Sequence, residues 1–229
     1  MKINTALILC AGLGERLKPL TFKTPKPLLK IDNTTILEKC INMIIEFGVQ
    51  KIFLNTFHLS NQIFEFIKNK KFSIDIEIIK DGNEILNSGG GILNMIKDSK
   101  DNDFIIFNPD TLWHNDYIDE INKMQNFYFS NKLNNILLVS NKKLSFDKNL
   151  KGDFRLKKNL LKKNNNNDFI YIGCQILNRS LFEKYKISNF PISEIWNKLL
   201  KKNQLNGFEC SNKFYHLTNL EIFKKLQDF

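Results

Sequence analysis

Gly12, Gly14, Arg16 and Lys26 are the residues of this chain whose types and spacing first suggest chemistry. Glycines without side chains let backbone N–H groups approach an anion closely. Arg16 supplies a bidentate fork and Lys26 a point charge, the two donor types suited to phosphate oxygens. Around them stand Pro19, Pro25 and Pro27, three of the chain's five prolines within nine residues. That density excludes a helix and predicts a shaped loop. A loop this long in a compact domain is usually functional or disordered, and a stiff, basic one favours function. The spacing also excludes two common phosphate motifs. A dinucleotide fingerprint needs a glycine where Leu17 stands, and a P-loop needs Gly-Lys-Ser/Thr, which the segment lacks.

Three further groups stand out. Asp110 follows Asn108 and Pro109 at the end of the apolar run Phe104–Phe107, so it is a carboxylate expected on a rigid strand end. Ser88-Gly89-Gly90-Gly91 is expected to open a helix, where glycine amides can face a sugar or base. His216 precedes the last predicted helix. Cys10, Cys40, Cys174 and Cys210 form no Cys-x-x-Cys pair, and with His58, His114 and His216 they give no zinc spacing. A reducing cytoplasm is the expected compartment.

The elements that must position these groups alternate between strand and helix. Ala6–Cys10 reads as a buried first strand bounded by a glycine turn. Thr35 and Glu38 read as a capping box, with Leu37, Cys40, Ile41, Ile44 and Ile45 at helical spacing before Gly48. Lys51–Asn55 is a second strand, and Ser60 is expected to cap a helix that turns Ile63, Phe64 and Ile67 inward. Phe72, Ile74, Ile76 and Ile78 alternate with polar residues as a half-buried strand. Ile136–Ser140 and Phe169–Leu177 are further strands; helices are expected over 192–202 and 219–228, the last with Thr218 and Glu221 as its capping box. This order predicts one α/β domain over 1–229, three-layered, with a mixed, mostly parallel sheet. Ligands in such sheets sit outside the carboxyl ends of the strands, where the glycine loop, Asn55, the triple glycine, Asp110 and Gly173 all fall.

The chain has 229 residues, 42% of them hydrophobic, enough for a substantial core. No apolar stretch reaches the roughly 18 residues of a membrane span. The opening MKINTALILC lacks a small-residue cleavage site and reads as a strand, not as a leader. A net charge of +10 raises nucleic acid as a partner, but the lysines are spread among Asn and Ile and no nucleic-acid motif accompanies them. Lys142–Lys143 and Lys157–Lys163, beside Asn164–Asn167, read as an exposed hairpin.

Leu9, Gly12, Gly14, Arg16, Leu17, Pro19, Leu20, Thr21, Pro25, Lys26 and Pro27 match L-x-x-G-x-G-x-R-L-x-P-L-T-x-x-x-P-K-P. The segment thus resembles the signature of the sugar-1-phosphate nucleotidyltransferases, which implies their Rossmann-like domain. Leu86 with Ser88–Gly91, and Asn108, Asp110 and Trp113, resemble the L-x-[ST]-G-G-G and N-x-D-x-x-W segments of its uridylyl-type branch. Gly152-Asp153-Phe154 and Tyr171-Ile172-Gly173 also resemble that branch. The resemblance implies transfer of a nucleotidyl group from an NTP to a sugar 1-phosphate, without a general base. It implies catalytic roles for Arg16, Lys26 and Asp110, and nucleotide contacts at Ala11, Gly12, Gly14, Arg16, Lys26, Asn55, Gly89 and Gly90. Glu84, Asn87, Asn108 and Gly173 are implied substrate contacts, with Gln62 another polar candidate. Mg²⁺, or Mn²⁺, is implied at Asp110; His216 stands where the family carries a second metal carboxylate. Imidazole suits softer metals better than Mg²⁺, so His216 is expected to bind directly, to act through water, or to leave the ion to Asp110 and the phosphates. The branch resembled is N-acetylmuramate-1-phosphate uridylyltransferase of cell-wall recycling, so UTP and that sugar phosphate are the expected substrates. Guanylyl, thymidylyl or cytidylyl transfer to mannose, glucose or phosphocholine acceptors is the alternative. A non-catalytic nucleotide- or nucleic-acid-binding protein is the alternative of a different class. Either a monomer or a homodimer is compatible with the sequence.

Overall fold

The structure, a computed structural model, describes residues 1–227. Strand β1 (Thr5–Leu9) sends Ala6 and Ile8 into one apolar cluster and Leu7 into another, with Leu9 packed beside it. Burial on both faces is what a central parallel strand requires. β2 (Lys30–Ile31) and β3 (Thr34–Thr35) form a small hairpin turned through Asp32 and Asn33, both at positive φ. Asp and Asn tolerate that conformation better than other side-chain-bearing residues. Thr35 then caps α1 (Ile36–Phe47), its Oγ1 accepting from the Glu38 amide at 3.1 Å. Gly48 ends the helix at φ +86°, with its amide donating to Ile44 and Ile45.

The chain continues through β4 (Lys51–Thr56), α2 (Ser60–Lys70), β5 (Asp75–Lys80), α3 (Asn87–Ile96), β6 (Asp103–Phe107), α4 (Tyr117–Ser130) and β7 (Asn135–Asn141). A hairpin of β8 (Arg155–Lys157) and β9 (Leu160–Lys162) precedes β10 (Phe169–Asn178), α5 (Ser193–Lys201), β11 (Gly207–Cys210) and α6 (Leu220–Gln227). The seven-stranded sheet has the order β11-β7-β10-β6-β1-β4-β5, and β10 alone runs against its neighbours. Helices α1 and α4 cover one face, joined by Ile63 of α2; α3 and α5 cover the other. The expected three-layer α/β fold with a mixed, mostly parallel sheet is therefore present. No helix among the described residues is long and apolar enough to cross a membrane.

A third cluster ties the two ends of the chain together. Leu17, Leu29, Ile31 and Ile36 pack with Leu217, Ile222, Phe223 and Leu226. Each such side chain contributes roughly 1.5–3 kcal/mol on full burial. The proline-rich loop is thus shaped by its own turns and also seated on α6.

Some local expectations need correction. α2 begins after Leu59, in the left-handed region at φ +50°, with no side-chain cap from Ser60. Phe64 is 50% exposed, because it lies one position, about a quarter-turn, past the buried Ile63. β5 starts at Asp75, leaving Phe72 in the preceding loop. At α6 the capping oxygen is Oδ1 of Asn219, which accepts from the Ile222 amide. Thr218 instead donates to Asp147 at 2.8 Å, while Glu221 pairs with Lys225. The last position expected in that helix, 228, lies outside the described residues.

Candidate active site

A cleft of about 320 Å³ opens at the carboxyl ends of β1, β4 and β6. Its wall includes Ala11, Gly12, Gly14, Arg16, Lys26, Asn55, Asn87, Asn108 and Asp110, residues picked out in the sequence from four separate segments. The two loop glycines differ in kind. Gly14 sits at φ +66°, and a Cβ there would lie 2.7 Å from the Thr21 methyl. A Cβ at Gly12 would meet no atom within 4 Å. The fold needs the first; only something entering the cleft needs the second. His58 Nε2 meets the Thr21 carbonyl at 2.8 Å, and Gln62 donates to Lys23 O at 2.8 Å. Gln62 therefore braces the outside of the loop and does not line the cleft.

Arg16 is exposed and has no hydrogen-bond or ion-pair partner among the described residues. Lys26 reaches across to Asp110, with Nζ 2.6 Å from Oδ2. Asp110 is held by its own loop, since the Trp113 indole N–H donates to the Asn108 carbonyl at 2.8 Å. Trp113 is itself buried edge-on against Phe107 and Tyr117. The sequence motif pairing Asn108, Asp110 and Trp113 thus has a physical cause: the Trp closes the turn that aims the Asp.

The C-terminal segment brings His216 to the same place. Leu112 N donates to Tyr215 O and Leu217 N donates to Asp110 O, so residues 215–217 run beside 110–112. His216 Nε2 lies 3.5 Å from Asp110 Oδ2, and its Nδ1 is 3.0 Å from Thr111 Oγ1. The Thr111 hydroxyl donates to Ile172 O at 2.7 Å, so its single proton is committed and Nδ1–H must be the donor to it. The neutral ring then presents an unprotonated Nε2 toward Asp110. Burial pushes the His216 pKa below its ordinary value against the pull of Asp110, and Lys26 and Arg16 push it further down. Burial likewise works to raise the Asp110 carboxyl, but His216 and Lys26 outweigh it and hold the pKa at about 2. The imidazole exerts that pull once protonated, which is its state in the acid range where Asp110 titrates.

A divalent cation fits this donor set. Asp110 Oδ1 is buried with no hydrogen-bond partner among the described residues. The lone pair of Nε2 faces the same carboxylate. No cluster of three ligating side chains occurs among the described residues, so the remaining ligands would be phosphate oxygens and water.

Four expected contacts do not line the cleft. Gly89 and Gly90 lie beneath residues 188–190, and their amides donate to the Phe190 carbonyl at 2.9 and 3.1 Å. A Cβ on Gly89 would lie 2.3 Å from the Phe190 ring, and one on Gly90 would lie 1.9 Å from Ser188 O. These glycines admit a strap of protein; Asn87 and Ser88 are the members of that segment in the cleft wall. Gly173 sits at φ +90° under Asn108 and Thr111, where it lets their loop approach β10. Glu84 is exposed outside the cleft. Conversely, Thr111, Asp147 and Thr218, the last of which lines the cleft, were not found from the sequence. A single Thr or Asp in a polar stretch carries no local signal of burial.

A family model described as nucleotidyl transferase matches residues 5–143. The "Bifunctional protein GlmU" of Methanococcus maripaludis (strain C5) is 31% identical over 216 residues, covering 90% of this chain and 49% of that protein. The D-glycero-alpha-D-manno-heptose 1-phosphate guanylyltransferase of Aneurinibacillus thermoaerophilus is 30% identical over 108 residues, 47% of this chain and 46% of that one. The chain spans about half the length of these relatives, or less. Among solved structures, a UDP-glucose pyrophosphorylase complexed with UDP-glucose superposes with a TM-score of 0.79 at 17% identity, covering 99% of this chain and 98% of that one.

Proposed function

The chain belongs to the nucleotidyl transferase family, and from that premise we propose that it joins a nucleoside triphosphate to a sugar 1-phosphate with release of pyrophosphate. The observation that carries this reading is the convergence of an open glycine loop, an unpaired Arg16 and the Lys26–Asp110 pair in one cleft. An oxygen of the acceptor phosphate attacks the α-phosphorus, a new P–O bond forms, and the bond to the β-phosphate oxygen breaks. The acceptor phosphate is already ionised at neutral pH, so no side chain has to remove a proton. What the protein contributes is positioning and neutralisation of developing charge. Amides of the loop through Gly12 and Gly14 face the phosphates, and Arg16 holds the leaving pyrophosphate. Lys26 neutralises charge at the α-phosphate, and its Nζ, 2.6 Å from Asp110 Oδ2, is kept in place by that carboxylate. Asp110, with His216 beside it, would hold Mg²⁺ or Mn²⁺. Such an ion would supply positive charge that stabilises the charge developing in transfer.

Within the family we favour UTP as donor and N-acetylmuramate 1-phosphate as acceptor. The support is the match of Leu86–Gly91 and of Asn108, Asp110 and Trp113 to the uridylyl-type segments. A pyrophosphate-release screen of UTP, GTP, CTP, dTTP and ATP against a panel of sugar 1-phosphates tests both choices. Turnover with UTP and that acceptor above all other pairs is expected. Faster turnover with GTP and a heptose or mannose phosphate would move the chain to the guanylyl branch, and no release with any pair would sink the enzymatic reading.

A further inference from the structure

Asp81 is buried at the end of β5 and does not line the cleft, yet it is bonded to Asn55, which does. Its Oδ1 accepts from Asn55 Nδ2 at 3.0 Å, and its Oδ2 accepts from the Leu86 amide at 3.2 Å. Asn55 Oδ1 in turn accepts from the Cys10 amide at 2.9 Å. One run of hydrogen bonds therefore joins the ends of β1, β4 and β5 to the residue that precedes α3. Those are the pieces that carry the glycine loop on one side of the cleft and Asn87 and Ser88 on the other. Gly91 leaves room for the contact: a Cβ there would lie 2.6 Å from Asn55 Nδ2 and 3.8 Å from Asp81 Oδ1.

No cation pairs with this buried carboxylate among the described residues. Burial raises its pKa, opposed by the hydrogen bonds from Asn55 and Leu86. Burying an unpaired charge is costly, so its presence calls for a reason. The two donors meet different oxygens, so an amide at this position would turn its NH₂ toward one of them. A carboxylate accepts from both. The opposite arrangement, with the acid at 55 and the amide at 81, would satisfy the same donors but would set the charge in the cleft wall.

We propose that Asp81 is the positioning residue of the nucleotide half of the cleft, fixing Asn55 and Leu86 while keeping its negative charge behind the wall that Asn55 forms. The charge-placement half rests on the nucleotide reading above; the hydrogen-bond half does not.

Asp81→Asn, Asn55→Asp and the exchange Asn55→Asp/Asp81→Asn separate the two halves. Asp81→Asn sets an amide N–H against the Asn55 amide or the Leu86 N–H. Asn55→Asp sets two carboxylates together. In the exchange the new carboxylate accepts from Cys10 N and from the new amide, whose oxygen accepts from Leu86 N. Each single variant is expected to lower Tm by roughly 5 °C or more, and the exchange to return within about 2 °C of wild type. Calorimetric titration at pH 8 with MgUTP, MgGTP, MgCTP and MgdTTP is expected to show at least a tenfold weaker Kd for the exchange than for wild type. An exchange variant whose Tm loss equals the sum of the single losses overturns the network. One that matches wild type in Kd within about twofold overturns the charge placement. A wild type that binds none of the four nucleotides refutes the charge-placement half together with the nucleotide reading, while the thermal arm still upholds or overturns the network.

Discussion

Gly12 and Gly90 both belong to glycine-rich segments at the carboxyl edge of one sheet, yet their surroundings are opposite. A methyl group at Gly12 would stand in open space; at Gly90 it would lie 1.9 Å from the Ser188 carbonyl oxygen. The first segment lines the cleft and leaves Gly12 open to it. The second has already given two amides to the Phe190 carbonyl. Composition alone therefore does not distinguish a cradle for a substrate from a socket for the protein's own chain. The lesson is that a glycine reports a close approach, and the approaching partner has to be found in three dimensions.

The contrast is sharpest at Gly90. Gly90→Ala forces a methyl group against backbone, since Ser188 O cannot swing away as the end of a flexible side chain could. Overpacking of this kind is expected to cost about 3 kcal/mol, or roughly 6–12 °C in Tm for a chain of this size. Calorimetric melting checks it, and a Tm within about 2 °C of wild type would mean that the strap over α3 is not closely packed.

Gly12→Ala is the mirror experiment. Tm should stay within about 2 °C of wild type, while kcat/KM falls roughly 10- to 100-fold because the methyl occupies space meant for phosphate. Unchanged kcat/KM would place the phosphates elsewhere and end the comparison. Arg16→Ala belongs on the same side. With an exposed guanidinium removed, folding is untouched, but kcat/KM should fall by at least tenfold, about 1.4 kcal/mol. Retention of more than a tenth of the activity would count against its role with the leaving group.

The smallest effect concerns Asp110 and His216. Asp110 titrates at about 2 in the folded protein, below its ordinary 3.8. The unfolded chain therefore takes up that proton first as the solution is acidified. Its stabilisation is full above roughly pH 4 and is lost as the pH falls toward 2. The His216 pKa lies below its ordinary 6.5, so its neutral form stabilises the fold above that pH and the benefit declines as the pH drops beneath it. His216→Asn should flatten the decline in Tm below pH 6.5, leaving the steeper loss below pH 4 in place. Parallel Tm–pH curves for wild type and variant through that upper window would mean that His216 titrates normally. In the metal-dependent assay, His216→Asp should narrow any preference for Mn²⁺ over Mg²⁺, because two carboxylates suit the harder ion.

What short-range physics encodes can be read along the chain. Thr35 just ahead of a run of helical spacing, Gly48 after it, and apolar runs with the length of buried strands were enough to place α1, β1 and β6. The same holds for Asp110, fixed on a strand end by a turn that Trp113 closes five residues from Asn108. Only the tertiary structure decided matters that depend on residues far apart in the chain. Ser188 and Phe190 cover Gly89 and Gly90 from about a hundred positions away. His216 reaches Asp110 because 215–217 aligns with 110–112, and Thr218 abandons its helix for a buried Asp147. Asp81 carries no local mark, since an acid after a strand is ordinarily solvated; burial beneath Asn55 gives it a task. Capping, periodicity and turn preference act over a few residues and can be read along a line, whereas burial and hydrogen-bond partnership are properties of a packed volume, which no single stretch of chain contains.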